Sequence, residues 1–109
     1  MASGKHHAYI VQVEGQFRVR PAVASVDKGS HRHFSICNVS GWPARVTVDP
    51  TMLAAGEAAS QDVPNGEAVP FTLGNRSKSK AFSLEVWVDL GCVWVPAQGE
   101  SDPVIIIDP

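Results

Sequence analysis

The sequence predicts an all-β fold: a two-sheet β-sandwich, antiparallel or mixed, of about eight short strands. Three observations carry this expectation. Between Phe82 and Val88, apolar Phe82, Leu84, Val86 and Val88 alternate with Ser83, Glu85 and Trp87. That is the two-residue period of a strand with one face in a core. The run Val104-Ile105-Ile106-Ile107 is β-branched throughout, which suits a strand covered on both faces. The 8 prolines and 9 glycines of the 109-residue chain are spread along it, a punctuation that favours many short strands over long helices.

Taken in order, Ala8 to Val13 (AYIVQV) is the first strand, and Gly15 offers a turn. Phe17-Arg18-Val19-Arg20 alternates, with Phe17 and Val19 inward and the arginines outward. Pro21 ends that pairing or confines it to an edge, because proline brings no N–H to a ladder. Val23 to Val26 resumes as a strand, and Asp27-Lys28-Gly29-Ser30 is a turn signal. His31 to Val39 is the next strand, broken by Ser40-Gly41-Trp42-Pro43, and Arg45 to Val48 starts another. The stretch 49–60 holds the one helical possibility: Asp49 or Thr51 as cap and Pro50 near the first turn. Gly56 interrupts it, so at most one short helical crossover is expected near 50–58, passing between the sheets. Gln61 to Glu67 reads as turn-rich. Ala68 to Leu73 is a strand that Pro70 places at an edge or bulge. A polar loop, 74–80, leads into the long strand ending near Asp89. Asp89-Leu90-Gly91 turns the chain, Cys92 to Val95 runs back, and a loop beginning at Ala97 precedes the closing strand. The length is that of a single domain, 1–109, with residues 1–7 expected to be mobile.

Nine basic residues against eleven acidic give a net charge of -2. This argues against charge-driven binding to nucleic acid or to an anionic membrane. No apolar run approaches the roughly 20 residues that span a bilayer. The first residues show no long apolar core of a signal peptide, so a cytoplasmic protein is expected. Cys37 and Cys92 fall in predicted strands. They read as two small buried hydrophobes, or as a disulfide between sheets. The expected compartment favours reduced thiols.

The pattern Val19-x-Pro21, Val26-x-Lys28-Gly29, Phe34-x-Ile36-x-Asn38-x-Ser40 resembles the front half of a cupredoxin-like domain. The end of the chain resembles that family's last hairpin and closing strand. Immunoglobulin-like sandwiches fit the pattern nearly as well, although the Trp expected about a dozen residues after the first Cys of an immunoglobulin domain is not matched by Trp42. The cupredoxin resemblance implies a sandwich and a place to look for copper, which a blue-copper site holds with two His, a Cys and an axial Met. In the family, one His follows the Asn-ending strand, and the Cys, second His and Met precede the last strand. Here no histidine follows His33, the last methionine is Met52, and Cys92 is followed by VWVPAQGESDPV. The copper ligands are missing position by position, so no cofactor is expected.

His31-x-His33 is the remaining metal candidate, for copper or zinc. Residues i and i+2 of a strand share a face, but two imidazoles are short of the three or four ligands of a stable site. Two solvated histidines at a strand start is the simpler reading. His6-His7 is a weaker pair. No nucleophile elbow, Walker loop or paired carboxylate is evident, so the chain reads as non-catalytic. Arg76-x-Lys78-x-Lys80 reads as a solvated loop. Trp87 and Trp94 flank the turn at Asp89–Gly91, and Trp87 is out of phase with Leu84, Val86 and Val88. Either both indoles form an exposed contact surface, for a protein or a stacked sugar, or a further layer covers them. The function expected is a structural or protein-interaction module, self-associating through strand edges or the face bearing Trp87 and Trp94. Metal binding through His31 and His33 and carbohydrate binding are the alternatives. No nucleic acid or membrane partner is expected.

Overall fold

Alternation of apolar and polar side chains sorts this chain into two sheets with their apolar faces together. The structure is a computed structural model and describes residues 6–26, 33–74, 80–97 and 103–107. The turn expected at 27–30, the loop at 75–79 and most of the loop after Ala97 lie outside the described residues. The strands are β1 (Ala8–Val13), β2 (Gln16–Arg20), β3 (Val23–Val26), β4 (His33–Asn38), β5 (Ala44–Val48), β6 (Ser60–Val63), β7 (Ala68–Thr72), β8 (Lys80–Asp89), β9 (Trp94–Ala97) and β10 (Val104–Ile107). One sheet has the order β2-β1-β4-β7. The other has the order β3-β10-β8-β5-β6, with β9 also on β8. Both are mixed, because β1 runs parallel to β4 and β3 parallel to β10. The all-β, two-sheet expectation holds.

The inward residues of both sheets form one apolar cluster. Ile10, Val19, Phe34, Ile36 and Phe71 come from the smaller sheet, and Val46, Phe82, Leu84, Val86, Val88 and Ile105 from the larger. Along β8 the burial alternates as the sequence predicts: Phe82, Leu84, Val86 and Val88 buried, Ser83, Glu85 and Trp87 exposed. β10 lies between β3 and β8, yet only Ile105 and Ile107 are fully buried; Val104 and Ile106 are half-buried. Both prolines mark pairing limits. β2 stops at Arg20, just before Pro21, and β7, which carries Pro70, is an edge strand.

Four local expectations are corrected. The turn-rich reading of 61–67 misses β6, a polar edge strand whose partner is β5. The segment 49–60 does not cross between sheets, since β5 and β6 are neighbours in one sheet. Instead it leans across to β7: Ala54 N donates to Thr72 O at 3.0 Å, Gly74 N to Met52 O at 3.0 Å, and Met52 is fully buried. Its only helix is the 3₁₀ turn Pro50–Met52, capped by Asp49, whose side chain accepts from Thr51 N. The returning strand β9 begins at Trp94 rather than at Cys92 and runs on to Ala97. Asp89 closes the wider turn, its Oδ1 accepting from Gly91 N at 2.8 Å, and Gly91 takes the φ of 100° that a side chain would resist. Cys92 is therefore exposed, Cys37 is half-buried, and the two thiols are unpaired. Of the segment 1–7, residues 1–5 lie outside the described residues. His7 Nδ1 accepts from Ser35 N at 3.0 Å, and the His7 ring stacks on Phe34.

One buried polar residue ties the loops of this end together. Asn38 ends β4 with no exposed surface. Its Nδ2 donates to Trp42 O at 2.7 Å and to Val63 O at 2.9 Å, and its Oδ1 accepts from Ser40 N at 3.0 Å and Ser40 Oγ at 2.7 Å. All four sites of the amide are used, which is what makes its burial tolerable. The effect is to fix Trp42 and the start of β5 against the end of β6.

Candidate functional site

The outer face of the larger sheet is where the chain concentrates exposed aromatic and charged groups. Register builds it. Asp62, Arg45, Trp87 and Pro96 stand side by side on β6, β5, β8 and β9. Ser60, Thr47 and Glu85 form the next row. Trp94 faces Asp89 across the β8–β9 pair and is thus the diagonal neighbour of Trp87, a relation within reach of aromatic side chains. Both predicted tryptophans lie on this face, with relative exposures of 39% for Trp87 and 42% for Trp94. Among the described residues no second layer buries them.

Two small constellations organise the face. At Trp94, the Arg45 guanidinium lies 5.0 Å from the ring centroid, while its Nε donates to Asp62 Oδ1 at 2.8 Å. The hydrogen bond and charge of Asp62, with a smaller contribution from Asp89, hold the Arg45 pKa above its ordinary value. At Trp87, the indole Nε1 donates to Glu85 Oε1 at 3.3 Å. Trp42, 42% exposed, sits at the same end of the sheet as Trp94, since Asp89 N donates to the adjacent Pro43 O at 2.8 Å.

A groove of about 340 Å³ opens beside Trp87, lined by Ser83, Leu84, Glu85, Val86, Trp87, Pro96, Ala97 and Pro103. Its origin is topological. β9 pairs with Val86–Asp89 and β10 with Lys80–Ser83, both on the edge of β8 opposite β5. β9 ends at Ala97, and Pro103 O accepts from Leu84 N of β8 at 3.2 Å. A larger cleft of about 480 Å³ lies between β2 and β9, lined by Gly15, Gln16, Phe17, Arg18, Leu90, Val95 and Pro96. Among these described residues none is an acid, a histidine or a cysteine.

The histidine candidates are not brought into a site. His33 opens β4, exposed and opposite Thr72, and His31 lies outside the described residues. Among the described residues no three His, Cys, Asp or Glu side chains are grouped to hold a metal ion. Among them, too, no helix is long and apolar enough to cross a membrane. Arg45, Asp62 and Pro96 were missed as members of the face. Alternation places Arg45 outward, but only register puts it in one row with Trp87. No family model matches the chain, and no curated protein is significantly similar to it.

Proposed function

We propose that this chain is a non-catalytic protein-interaction module whose contact surface is the outer face of the larger sheet, centred on Trp87 and Trp94. The observation that carries it is the diagonal pair of exposed indoles on one sheet face. Tryptophan is enriched among the residues that dominate binding energy at interfaces. Arg45, held by Asp62 and Trp94, adds an ordered polar contact that loses little entropy on binding. Strand edges are the second route to self-association. Of the strands with an open edge among those described, β3 (VASV) carries neither a charge nor a proline, whereas β2, β6, β7 and β9 each carry one or the other. Edges lacking such groups template pairing with another chain.

Within the all-β class, the sandwich is proposed to be cupredoxin-like or immunoglobulin-like, without copper. Support comes from the buried side chains of Val19, Val26, Phe34, Ile36 and Asn38, which fall at the positions of the sequence pattern. Two unpaired thiols favour a reducing compartment.

The test compares wild type with a Trp87→Ala/Trp94→Ala variant of equal circular dichroism. Light scattering over a concentration series reads self-association above the 11.7 kDa monomer, and affinity capture from a cell extract reads other partners. Association present in wild type and lost in the variant is expected. Identical association in both removes the role of this face.

A further inference from the structure

We infer that the groove beside Trp87 receives a cationic side chain, arginine or lysine, from a partner protein, with Glu85 as its counter-ion and the Trp87 ring as its platform. This rests on the outer face being the contact surface. The argument begins with the two indoles of that face, which differ in one respect. Trp94 has a complete set: a cation, Arg45, 5.0 Å from its centroid, and an acid, Asp62, paired with that cation at 2.8 Å. Trp87 has the acid but no cation. Glu85 Oε1 accepts from the indole Nε1 at 3.3 Å, and among the described residues no cation lies over the ring or pairs with the carboxylate. The second carboxylate oxygen is left for a donor.

Shape and charge agree with this. The groove of about 340 Å³ has Glu85 and Trp87 on β8, with Pro96 and Pro103 across from them and no basic residue among the described residues that line it. That volume is at the small end of ligand-sized clefts, which run from about 300 to 1,000 Å³. It has an apolar wall for the methylenes of a long side chain and a carboxylate for its head, the arrangement in which arginine and lysine bury their stems. A cation over an indole is attracted by the ring quadrupole. The cation comes from a different protein rather than from the same face of a second copy, because among the described residues that face offers one cation, Arg45, and Asp62 and Trp94 already hold it.

The experiment uses three synthetic peptides, acetyl-Gly-Ser-Xaa-Ser-Gly-amide, with Xaa arginine, citrulline or glutamate. Each is titrated into ¹⁵N-labelled protein and followed at the Trp87 indole N–H and the amides of 83–87. The arginine peptide should shift these signals saturably, and citrulline, its uncharged isostere, should bind about tenfold more weakly. Glu85→Gln should remove that preference while leaving the remaining spectrum unchanged. Glu85→Lys should bring binding of the glutamate peptide. Equal binding of arginine and citrulline, shifts confined to other residues, or a preference that survives Glu85→Gln would each overturn the inference. If those results came with loss of association in Trp87→Ala/Trp94→Ala, the contact face would stand and only the cation would fall. If that variant also associated like wild type, both would fall.

Discussion

Asn38 shows how much one side chain can settle. Its four hydrogen bonds join the end of β4, the loop before β5 and the end of β6. Asn38→Ala removes the donors to Trp42 O and Val63 O; Ser40 Oγ still reaches Trp42 O at 3.2 Å, but Val63 O loses its side-chain partner. Ser40 N, itself buried, loses Asn38 Oδ1 as its acceptor; a buried polar group left without a partner costs about 1–3 kcal/mol, and the small cavity adds to it. Urea unfolding should therefore show a loss of about 2–4 kcal/mol for Asn38→Ala, and a change near zero would refute the role given to this residue. The position was legible in the sequence as the polar end of an alternating strand. Its partners were not, because Val63 is 25 positions away.

At the scale of elements, the least protected edge is β3. It pairs with β10 on one side only, and Val23 on it is 50% exposed. Val23→Lys places a charge on that edge without touching the core. Sedimentation should show self-association weakened by Val23→Lys if copies pair edge to edge, and unchanged if they meet through the tryptophans. The other edges are blunted by their own residues or by neighbours: Gln61 Nε2 of β6 donates to Pro70 O of β7 at 2.9 Å and fastens that side of the sandwich. β6 also shows why some elements escape a reading of the sequence. Ser-Gln-Asp-Val has no apolar alternation to announce a strand. It is a strand because β5 offers it a ladder, with Arg45 opposite Asp62 and Thr47 opposite Ser60. The early start expected for β9 failed for a related reason. Cys92 and Val93 are good strand formers, but the turn closes through Asp89 Oδ1 and through Leu90 N donating to Val93 O at 3.0 Å.

For the whole molecule, the core joins the two sheets. Phe34 of the smaller sheet is fully buried, its ring 6.4 Å from that of Phe71. Phe34→Ala should cost about 3–5 kcal/mol in chemical denaturation, as large core truncations do, whereas a loss under 1 kcal/mol would mean the sheets are not held by this cluster. The sequence by itself determined the class of fold and the inward face of most strands, because a two-residue period is a local property that each strand carries alone. It determined, too, that Trp87 opposes the core side of β8. Tertiary structure decided which strands are neighbours, and with that the composition of the contact face. Asp62, Arg45, Trp87 and Pro96 lie between positions 45 and 96 of the chain and become one row only through the register of four strands. Register depends on long-range pairing that no local pattern encodes, and the groove beside Trp87 lies where β9 and β10 share one edge of β8.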